Sequence, residues 1–331
     1  MIRFLSCDWG TSSFRLRLVR VEDRQILGEY FSDVGVKQAF YSYKESGSGT
    51  EREQFYLDLL REGVKALERK LNVDLTETMI LCSGMASSTI GIRELPYATL
   101  PFPVNGSTME MHFYRSGEVM DHPIFLLSGV KSTRDVMRGE ETQLIGVIRQ
   151  LPSFSGQGVF IFPGTHSKHI YVSSGEITDF KTYMTGEVFQ LLSQNSLLSD
   201  SISVGELAGS ELGFAFAKGV EEGARNNLLG TLFQVRANEL FGKLSKAENF
   251  HYLSGLLIGN ELSNLSTNGD FPIYLCAEGA LHLTYSRAME ILTLNAKILT
   301  KEEVRQAVVY GQLEIFNYTN NHEKSIFLGS F

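Results

Sequence analysis

The sequence predicts an α/β protein with two halves and a cleft between them, and three observations lead to this. Apolar runs of strand length alternate with segments of helical length. Two stretches, Phe4–Val21 and Gly158–Glu187, share one pattern, in which an apolar run, a Gly-Thr turn and a second strand-like run follow one another. A chain of 331 residues is also long enough for two domains. We place the domain boundary in the polar stretch Leu151–Gly158.

The predicted domains are residues 1–150 and 151–331, and a return of the last helix to the first domain is left open. Both repeated stretches are read as β-hairpins, and Phe271–Leu292 as a strand, a Gly turn and a helix. Lys44–Gln54 is read as a polar surface loop. Further helices are predicted at Glu51–Leu71, Thr133–Gln150, Asn249–Leu265 and Lys301–Ile315.

Composition excludes several classes of function. A formal net charge of −8 argues against an electrostatic grip on nucleic acid or an anionic membrane. No apolar run approaches the roughly 20 residues that a membrane helix needs, and the N-terminus is not of signal-peptide type. Three cysteines, Cys7, Cys82 and Cys276, have no metal-ligand spacing and are expected to be buried thiols. These features favour a cytoplasmic protein.

The first turn follows a carboxylate, in the sequence Asp-Trp-Gly-Thr-Ser-Ser. Gly10, Thr11 and Ser12 offer backbone amides and hydroxyls that suit phosphate oxygens. Asp8 cannot face phosphate unaided, and Mg²⁺ is the usual bridge between a carboxylate and a nucleotide. The alternative is that Asp8 only begins a hairpin turn, where Asp and Gly are common.

The second turn repeats this chemistry in PGTHSKH, residues Pro163–His169. Hydroxyls line the turn, and a lysine adds a cation suited to a β- or γ-phosphate. The two histidines receive no metal, because a histidine near a strand is more often a hydrogen-bonded structural residue. The residues expected to hold phosphate are Gly164, Thr165, His166, Ser167 and Lys168.

Four motifs connect these turns to a known family. They are VMRGEETQLIG (Val136–Gly146), FPGTHSKHIYV (Phe162–Val172), TYMTGE (Thr182–Glu187) and YLSGLLIG (Tyr252–Gly259). Together they closely resemble the 2-dehydro-3-deoxygalactonokinases, over nearly the whole chain from Asp8 onward. The resemblance implies the two-domain actin-like ATPase (ribonuclease H-like) fold, with a nucleotide cleft between the halves. It departs at Ala86–Ser88, where Gly-Ser-Asn would be expected.

The resemblance implies an ATP- and Mg²⁺-dependent kinase of galactonate catabolism. Its small-molecule substrate would be 2-dehydro-3-deoxy-D-galactonate, phosphorylated on the terminal 6-hydroxyl to give a product for an aldolase. Alternatives left open are a kinase of another keto-deoxy sugar acid and an ATPase or phosphatase of the same fold without a sugar acceptor. The assembly state is also open, with a homodimer as one alternative.

Two further sites follow from this reading. For adenine, the candidate is the turn of Ala277, Glu278 and Gly279, with Glu278 on ribose or base. The alternative is a plain helix start with Glu in its first turn. For the acceptor carboxylate, the segment CSGMASS offers small residues and backbone amides. Arg15 is a second candidate; the alternative for Arg15 is a solvated arginine on a strand. The residues named in CSGMASS are Ser83, Met85 and Ser87.

The catalytic base is sought among the carboxylates of RGEETQLIG. Sugar kinases of this superfamily carry the base just after a Gly at a helix start, and here Gly139 precedes Glu140 and Glu141. Consecutive helical residues point about 100° apart, so only one can reach the sugar. We predict Glu140 as the base, with Glu141 bonding the sugar or the turn. The alternative is a pair of first-turn carboxylates that only favour the helix dipole.

Overall fold

The computed structural model describes residues 2–47, 51–204, 210–225, 227–265 and 271–322. The chain divides into two units. Unit 1 comprises Met1–Ser155, Ser174–Asp179 and Arg305–Phe331, and unit 2 comprises Gly156–Ser173 and Phe180–Val304.

The first half of the chain supplies most elements of unit 1. They are β1 (Arg3–Trp9), β2 (Phe14–Arg20), β3 (Ile26–Ser32), α1 (Val36–Ser46), α2 (Arg52–Leu71), β4 (Ile80–Gly84), β5 (Ala98–Thr99), β6 (Phe102–Pro103), β7 (Met111–Tyr114), β8 (Ile124–Leu127), β9 (Val130–Lys131), β10 (Val136–Met137) and α3 (Glu140–Arg149).

The second half of the chain supplies the elements of unit 2. They are β11 (Gly158–Phe162), β12 (Ser167–Ser173), β13 (Glu176–Tyr183), α4 (Thr185–Gln194), α5 (Ser210–Arg225), α6 (Leu228–Leu232), α7 (Gln234–Leu240), α8 (Lys246–Leu262), β14 (Ile273–Leu275), α9 (Gly279–Ile291), β15 (Ala296–Ile298) and α10 (Lys301–His322). The first residues of β13 and most of α10 are counted with unit 1.

Period-2 alternation gives the main sheet of unit 1 two apolar faces. Its strand order is β3-β2-β1-β4-β8-β7, with β1 antiparallel to β2 and parallel to β4. On one face, Leu5 and Leu16 pack with Leu60 of α2. On the other face, Phe4 packs with Val309 of α10. Successive residues of a strand point to opposite faces, so Asp8 shares the face of Phe4, which α10 covers. Its partner on β2 is Arg15.

The sheet of unit 2 repeats the hairpin-first pattern. Strand β11 is antiparallel to β12 and parallel to β14, and β14 is parallel to β15. Ile161 of β11 and Leu275 of β14 pack in one core with Val220 of α5, Ile258 of α8 and Ala288 of α9. Because β11 and β14 are parallel neighbours, the β11–β12 turn and the start of α9 both lie at the carboxyl ends of these strands. Ligands of α/β proteins bind at that edge of the sheet.

Helices α5 and α8 cross with their main chains in contact. A Cβ on Gly219 would overlap the carbonyl of Tyr252, and one on Gly255 would overlap the carbonyl of Phe216. The same holds for Gly223 and Gly259 against the facing helix. The two glycines of YLSGLLIG are therefore required by helix packing in unit 2.

The structure confirms both predicted hairpins and the strand-turn-helix of Phe271–Leu292. Two predictions are wrong in part. The helix predicted from Thr133 begins at Glu140, because β10 pairs with β9 ahead of it. The loop predicted at Lys44–Gln54 is partly helical, since α1 reaches Ser46 and α2 starts at Arg52; residues 48–50 lie outside the described part of the chain.

Further expectations concern the cysteines and the membrane. Cys7, Cys82 and Cys276 are free and buried, as predicted. Across the described ranges, none of the helices combines the length and the apolar character needed to cross a bilayer.

The helix crossing gives a stability prediction. Gly219→Ala should lower the free energy of unfolding by about 1–3 kcal/mol, because the added methyl forces two main chains apart. Gly213→Ala, in the same helix, is the matched control: a Cβ there meets nothing within 4 Å. Because alanine has a higher helix propensity than glycine, Gly213→Ala should leave the free energy of unfolding equal or raise it by up to about 1 kcal/mol. Urea unfolding followed by circular dichroism measures both, and equal values for the two variants would contradict this packing.

Candidate active site

The first turn predicted to bind phosphate lies at the end of the β1–β2 hairpin of unit 1. The amide of Gly10 donates to the carbonyl of Ser13 at 2.9 Å, which closes the turn. The carbonyls of Gly10 and Thr11 accept bonds from the amides of Val36 and Lys37, at 2.9 and 3.2 Å. The start of α1 therefore fixes the turn from behind, while Thr11 and Ser12 themselves stay exposed.

Asp8 is a half-buried carboxylate on β1, two residues before this turn. Burial raises its pKa above the ordinary value, and the charges of Arg15 and Arg17 partly oppose that shift. No hydrogen bond from another described side chain reaches it. Mg²⁺ is typically held by one or two carboxylates together with phosphate and water, so a single unengaged carboxylate beside a phosphate turn fits this ion. In the described part of the chain, no cluster of three metal-binding side chains is found.

Two glycines bring the start of α3 to the same end of the sheet. A Cβ on Gly84, the last residue of β4, would lie 2.8 Å from the carbonyl oxygen of Trp9 and 3.5 Å from Oδ1 of Asp8. A Cβ on Gly139 would lie 3.3 Å from the Cα of Gly84. Both glycines have positive φ, 86° and 106°. The ends of β1 and β4 and the start of α3 therefore converge around Asp8.

The two carboxylates of α3 differ in environment. Glu141 is fully buried, and both of its carboxylate oxygens accept the amide of Gly139, at 2.9 and 2.8 Å. Burial, and then the charge of Glu140, raise the pKa of Glu141 to about 7. Glu140 is half-buried at the first position of the helix. Glu141 is thus bonded to the turn, and Glu140 is the more accessible of the two carboxylates.

The predicted acceptor residues fall into different environments. Oγ of Ser83 is buried and accepts from Nε2 of Gln312 at 2.9 Å, and the same amide also donates to the carbonyl of Cys7. Met85 is half-buried at the start of a 3₁₀ turn. Arg15 is about one third exposed and lies 4.0 Å from Oε2 of Glu29. Ser83 therefore joins α10 to the sheet, and Arg15 lies beside a carboxylate of β3.

Ser87 lies next to a residue that sequence reasoning missed. Its Oγ accepts from Nη1 of Arg138 at 2.7 Å. Nη2 of Arg138 donates to the carbonyl of Leu95 at 2.8 Å, and the guanidinium lies 3.9 Å from the centre of the Tyr97 ring. The signal available in the sequence was an arginine directly before Gly139, inside VMRGEETQLIG.

The second turn predicted to bind phosphate, called the phosphate turn below for that prediction, belongs to unit 2. Thr165 and His166 are exposed at its tip, and Nε2 of His166 lies 2.5 Å from Oε2 of Glu187. The amide of Glu187 donates to the carbonyl of Thr165, and a Cβ on Gly186 would lie 2.5 Å from the carbonyl oxygen of Gly164. The TGE motif at residues 185–187 therefore packs directly against the turn.

Lys168 is buried on β12 just beyond this turn. Its ammonium donates to Oγ1 of Thr182 at 2.7 Å. The lysine is thereby anchored to β13, and its predicted contact with phosphate stays a prediction.

A buried carboxylate of α8 lies beneath the turn. Glu261 accepts from Oγ of Ser167 at 2.7 Å, from Oγ1 of Thr185, from Oη of Tyr285 at 2.7 Å and from Nε2 of His169 at 2.9 Å. Burial alone would raise its pKa, but these donors lower it below the ordinary value. One carboxylate thus holds together the phosphate turn, the start of α4 and helix α9.

An apolar pocket of about 420 Å³ opens beside these residues in unit 2. Its walls come from the phosphate turn and from α4, α8 and α9, and they include Gly164, Phe189, Phe250, Ser254, Leu281 and Thr284. Its size and its aromatic and aliphatic lining suit a heterocyclic base. The predicted adenine residues lie just before it: Ala277 is buried in the core, while Glu278 and Gly279 are exposed at the start of α9. The residues of α9 that line the pocket follow directly, from Ala280 to Tyr285.

Comparisons with known proteins bear on the whole chain. The profile of the 2-keto-3-deoxy-galactonokinase family matches residues 8–312. The proposed 2-dehydro-3-deoxygalactonokinase DgoK1 of Rhizobium meliloti (strain 1021) is 31% identical over 316 residues, covering 92% of this chain and 94% of that protein. The 2-dehydro-3-deoxygalactonokinase of Escherichia coli (strain K12) is 28% identical over 318 residues, covering 92% and 95%.

Solved structures agree on the fold. A protein of Sinorhizobium meliloti proposed to be a 2-dehydro-3-deoxygalactonokinase matches with a TM-score of 0.74 and 26% identity, over 96% of each chain. Component A of the (R)-2-hydroxyglutaryl-CoA dehydratase of Acidaminococcus fermentans matches with a TM-score of 0.50 and 10% identity, over 97% of this chain and 100% of that chain. The predicted actin-like ATPase fold is confirmed, and the chain belongs to the 2-keto-3-deoxy-galactonokinase family.

Proposed function

We propose that this protein transfers the γ-phosphoryl group of ATP to the terminal 6-hydroxyl of 2-dehydro-3-deoxy-D-galactonate. The observation that carries the proposal is the family match over residues 8–312, which spans every candidate site residue of both units. The three free, buried cysteines suit the reducing cytoplasm in which galactonate would be degraded. Assembly as a homodimer stays a prediction that light scattering can test.

In this proposal the residues of unit 1 prepare the acceptor. Glu140, half-buried at the start of α3, takes the proton of the 6-hydroxyl as the bond to phosphorus forms. Glu141 holds the Gly139 turn so that Glu140 keeps its position. Asp8 would hold Mg²⁺, which would supply positive charge for the phosphate oxygens. Gly10, Thr11 and Ser12 would donate to phosphate oxygens.

The residues of unit 2 bind the nucleotide in this proposal. The apolar pocket takes the adenine ring, and the turn of Gly164–Ser167 binds the phosphates through its amides and hydroxyls. Glu261 acts as a positioning residue, because Ser167, Thr185 and Tyr285 all donate to it.

An assay of ADP release tests the function. The purified protein, with Mg²⁺ and ATP, should form ADP rapidly with 2-dehydro-3-deoxy-D-galactonate and slowly with 2-dehydro-3-deoxy-D-gluconate or simple hexoses. ³¹P NMR should place the new phosphate ester on the terminal carbon. Equal ADP formation without any acceptor would instead indicate an ATPase, and preference for another sugar acid would reassign the substrate.

Removal of the Asp8 charge tests the metal assignment. Asp8→Asn should lower turnover by roughly 10²-fold or more, because the carboxylate that would hold the metal is lost. The fold should not suffer at neutral pH. A raised carboxylate pKa means that the native state disfavours the charge, so any stability from Asp8 is lost as pH rises through that pKa. Rates across a Mg²⁺ titration measure the loss of turnover, and thermal unfolding measures the stability. An unchanged rate and an unchanged Mg²⁺ dependence would reject the assignment.

The two carboxylates of α3 give a paired test. Glu140→Gln should lower kcat by roughly 10²–10⁴-fold while ATP still binds, since a general base is lost. Glu141→Gln should affect kcat less and stability more.

The pH dependence separates the two roles. The stability contributed by Glu141 is present below its ordinary pKa of 4.5 and is lost as pH rises toward about 7, so Glu141→Gln should flatten the stability profile over that window. Urea unfolding at several pH values measures it. A loss of kcat confined to Glu141→Gln would reverse the roles.

Filling the apolar pocket tests nucleotide binding. Ser254→Phe places an aromatic ring in a pocket of about 420 Å³ and should raise KM for ATP tenfold or more, with little change in KM for the sugar acid. Ser263→Phe, an exposed position just after α8, is the matched control and should leave both constants unchanged. If KM for ATP is the same in both variants, adenine binds elsewhere.

A further inference from the structure

The environment of Arg138 is unusual for a charged side chain. The residue is 8% exposed. Its two hydrogen bonds go to neutral acceptors, Oγ of Ser87 and the carbonyl of Leu95, and its planar group lies over the Tyr97 ring. Gly129 leaves room for the stem, since a Cβ at that position would overlap the Arg138 side chain. The surrounding chain is thus shaped to hold this guanidinium in one place.

No carboxylate of the described residues pairs with Arg138. Its Nε–H also lacks an acceptor within those residues. A guanidinium cannot release its charge by deprotonation, and a buried charge is costly unless it is paired. Arg17 shows the usual solution in this protein: it is 2% exposed, and its Nε donates to Oε2 of Glu29 at 2.7 Å. Arg138 lacks such a partner among the described residues, which leaves its charge available to an anion from outside them.

The position of Arg138 identifies which anion. It lies two residues before Glu140, so their Cα atoms are at most about 7 Å apart. Ser87, which it contacts, belongs to the 3₁₀ turn that follows Gly84 beside Asp8. A sugar acid carries its carboxylate at one end of a short carbon chain and the phosphorylated hydroxyl at the other. A cation on the same short segment as the predicted base suits the carboxylate end of such an acceptor.

We propose that Arg138 binds the carboxylate of the acceptor, with Ser87 and Tyr97 holding the guanidinium in place. The proposal rests on the proposed function and names the residue that makes the enzyme choose an acid over a neutral sugar. Charge-assisted bonds from a guanidinium to a carboxylate are strong and directional, and the described contacts use two of the five N–H donors of an arginine. Arg15, by contrast, already has Glu29 beside it.

The test compares the acid with its uncharged carboxamide as acceptors. The wild-type enzyme should use the acid with a kcat/KM at least a hundredfold higher. In Arg138→Gln, KM for the acid should rise at least tenfold and KM for the carboxamide should change little, so the preference collapses. Arg138→Lys, which keeps the charge, should retain part of the preference for the acid. It also provides the test if Arg138→Gln does not fold. Arg149→Gln, at an exposed position of α3, is the control and should keep the full preference.

The outcomes separate the two proposals. If the wild-type enzyme does not phosphorylate the acid at all, the proposed function fails. If it does, and Arg138→Gln and Arg138→Lys keep the wild-type ratio of acid to carboxamide, only the assignment of Arg138 fails. A collapse of the ratio in Arg15→Gln but not in Arg138→Gln would give the carboxylate to Arg15 and overturn the inference as well.

Discussion

Close approach of main chains at glycines is the constraint on which both candidate sites depend. In unit 1, Gly84 and Gly139 let the ends of two strands and the start of α3 meet around Asp8. In unit 2, Gly186 lets the TGE motif lie against the phosphate turn, and glycines let α5 and α8 cross at backbone contact. Any side chain at these positions would separate the segments, and the polar groups they carry would no longer converge.

Buried carboxylates then fix what the glycines bring together. Glu261 collects donors from three elements of unit 2, and Glu141 binds the amide of its own helix start. The two differ in electrostatics. Several donors, including a histidine, keep the pKa of Glu261 low, whereas the neighbouring Glu140 charge helps burial to raise that of Glu141. Glu261 in unit 2 is therefore held in its charged form, whereas Glu141 in unit 1 is partly protonated near neutral pH.

The sequence could predict what depends on neighbours along the chain. Both hairpins follow from local alternation, and the turn residues follow from Gly, Thr and Ser between strands. The start of α3 was misplaced because β10 forms only by pairing with β9, a contact that periodicity does not encode. The apolar pocket of unit 2 was missed for the same reason, since its walls come from α4 and α8 as well as α9. The assignment of adenine to Ala277, Glu278 and Gly279 stays a prediction. Glu261 was missed because its donors lie 24 to 94 residues away.

The segment Arg138–Glu141 shows how one backbone feature can give adjacent charged residues different tasks. Gly139, at φ 106°, takes a backbone conformation that favours glycine, between Arg138 and the helix. The arginine is thereby directed to Ser87 and Leu95, while Glu141 turns back on the Gly139 amide and Glu140 is left at the helix start. A residue with a Cβ at position 139 would favour a continuous helix or strand, in which these charges would follow a regular spacing. Under the proposed function, these four consecutive residues would both recognise the acid and activate its far hydroxyl.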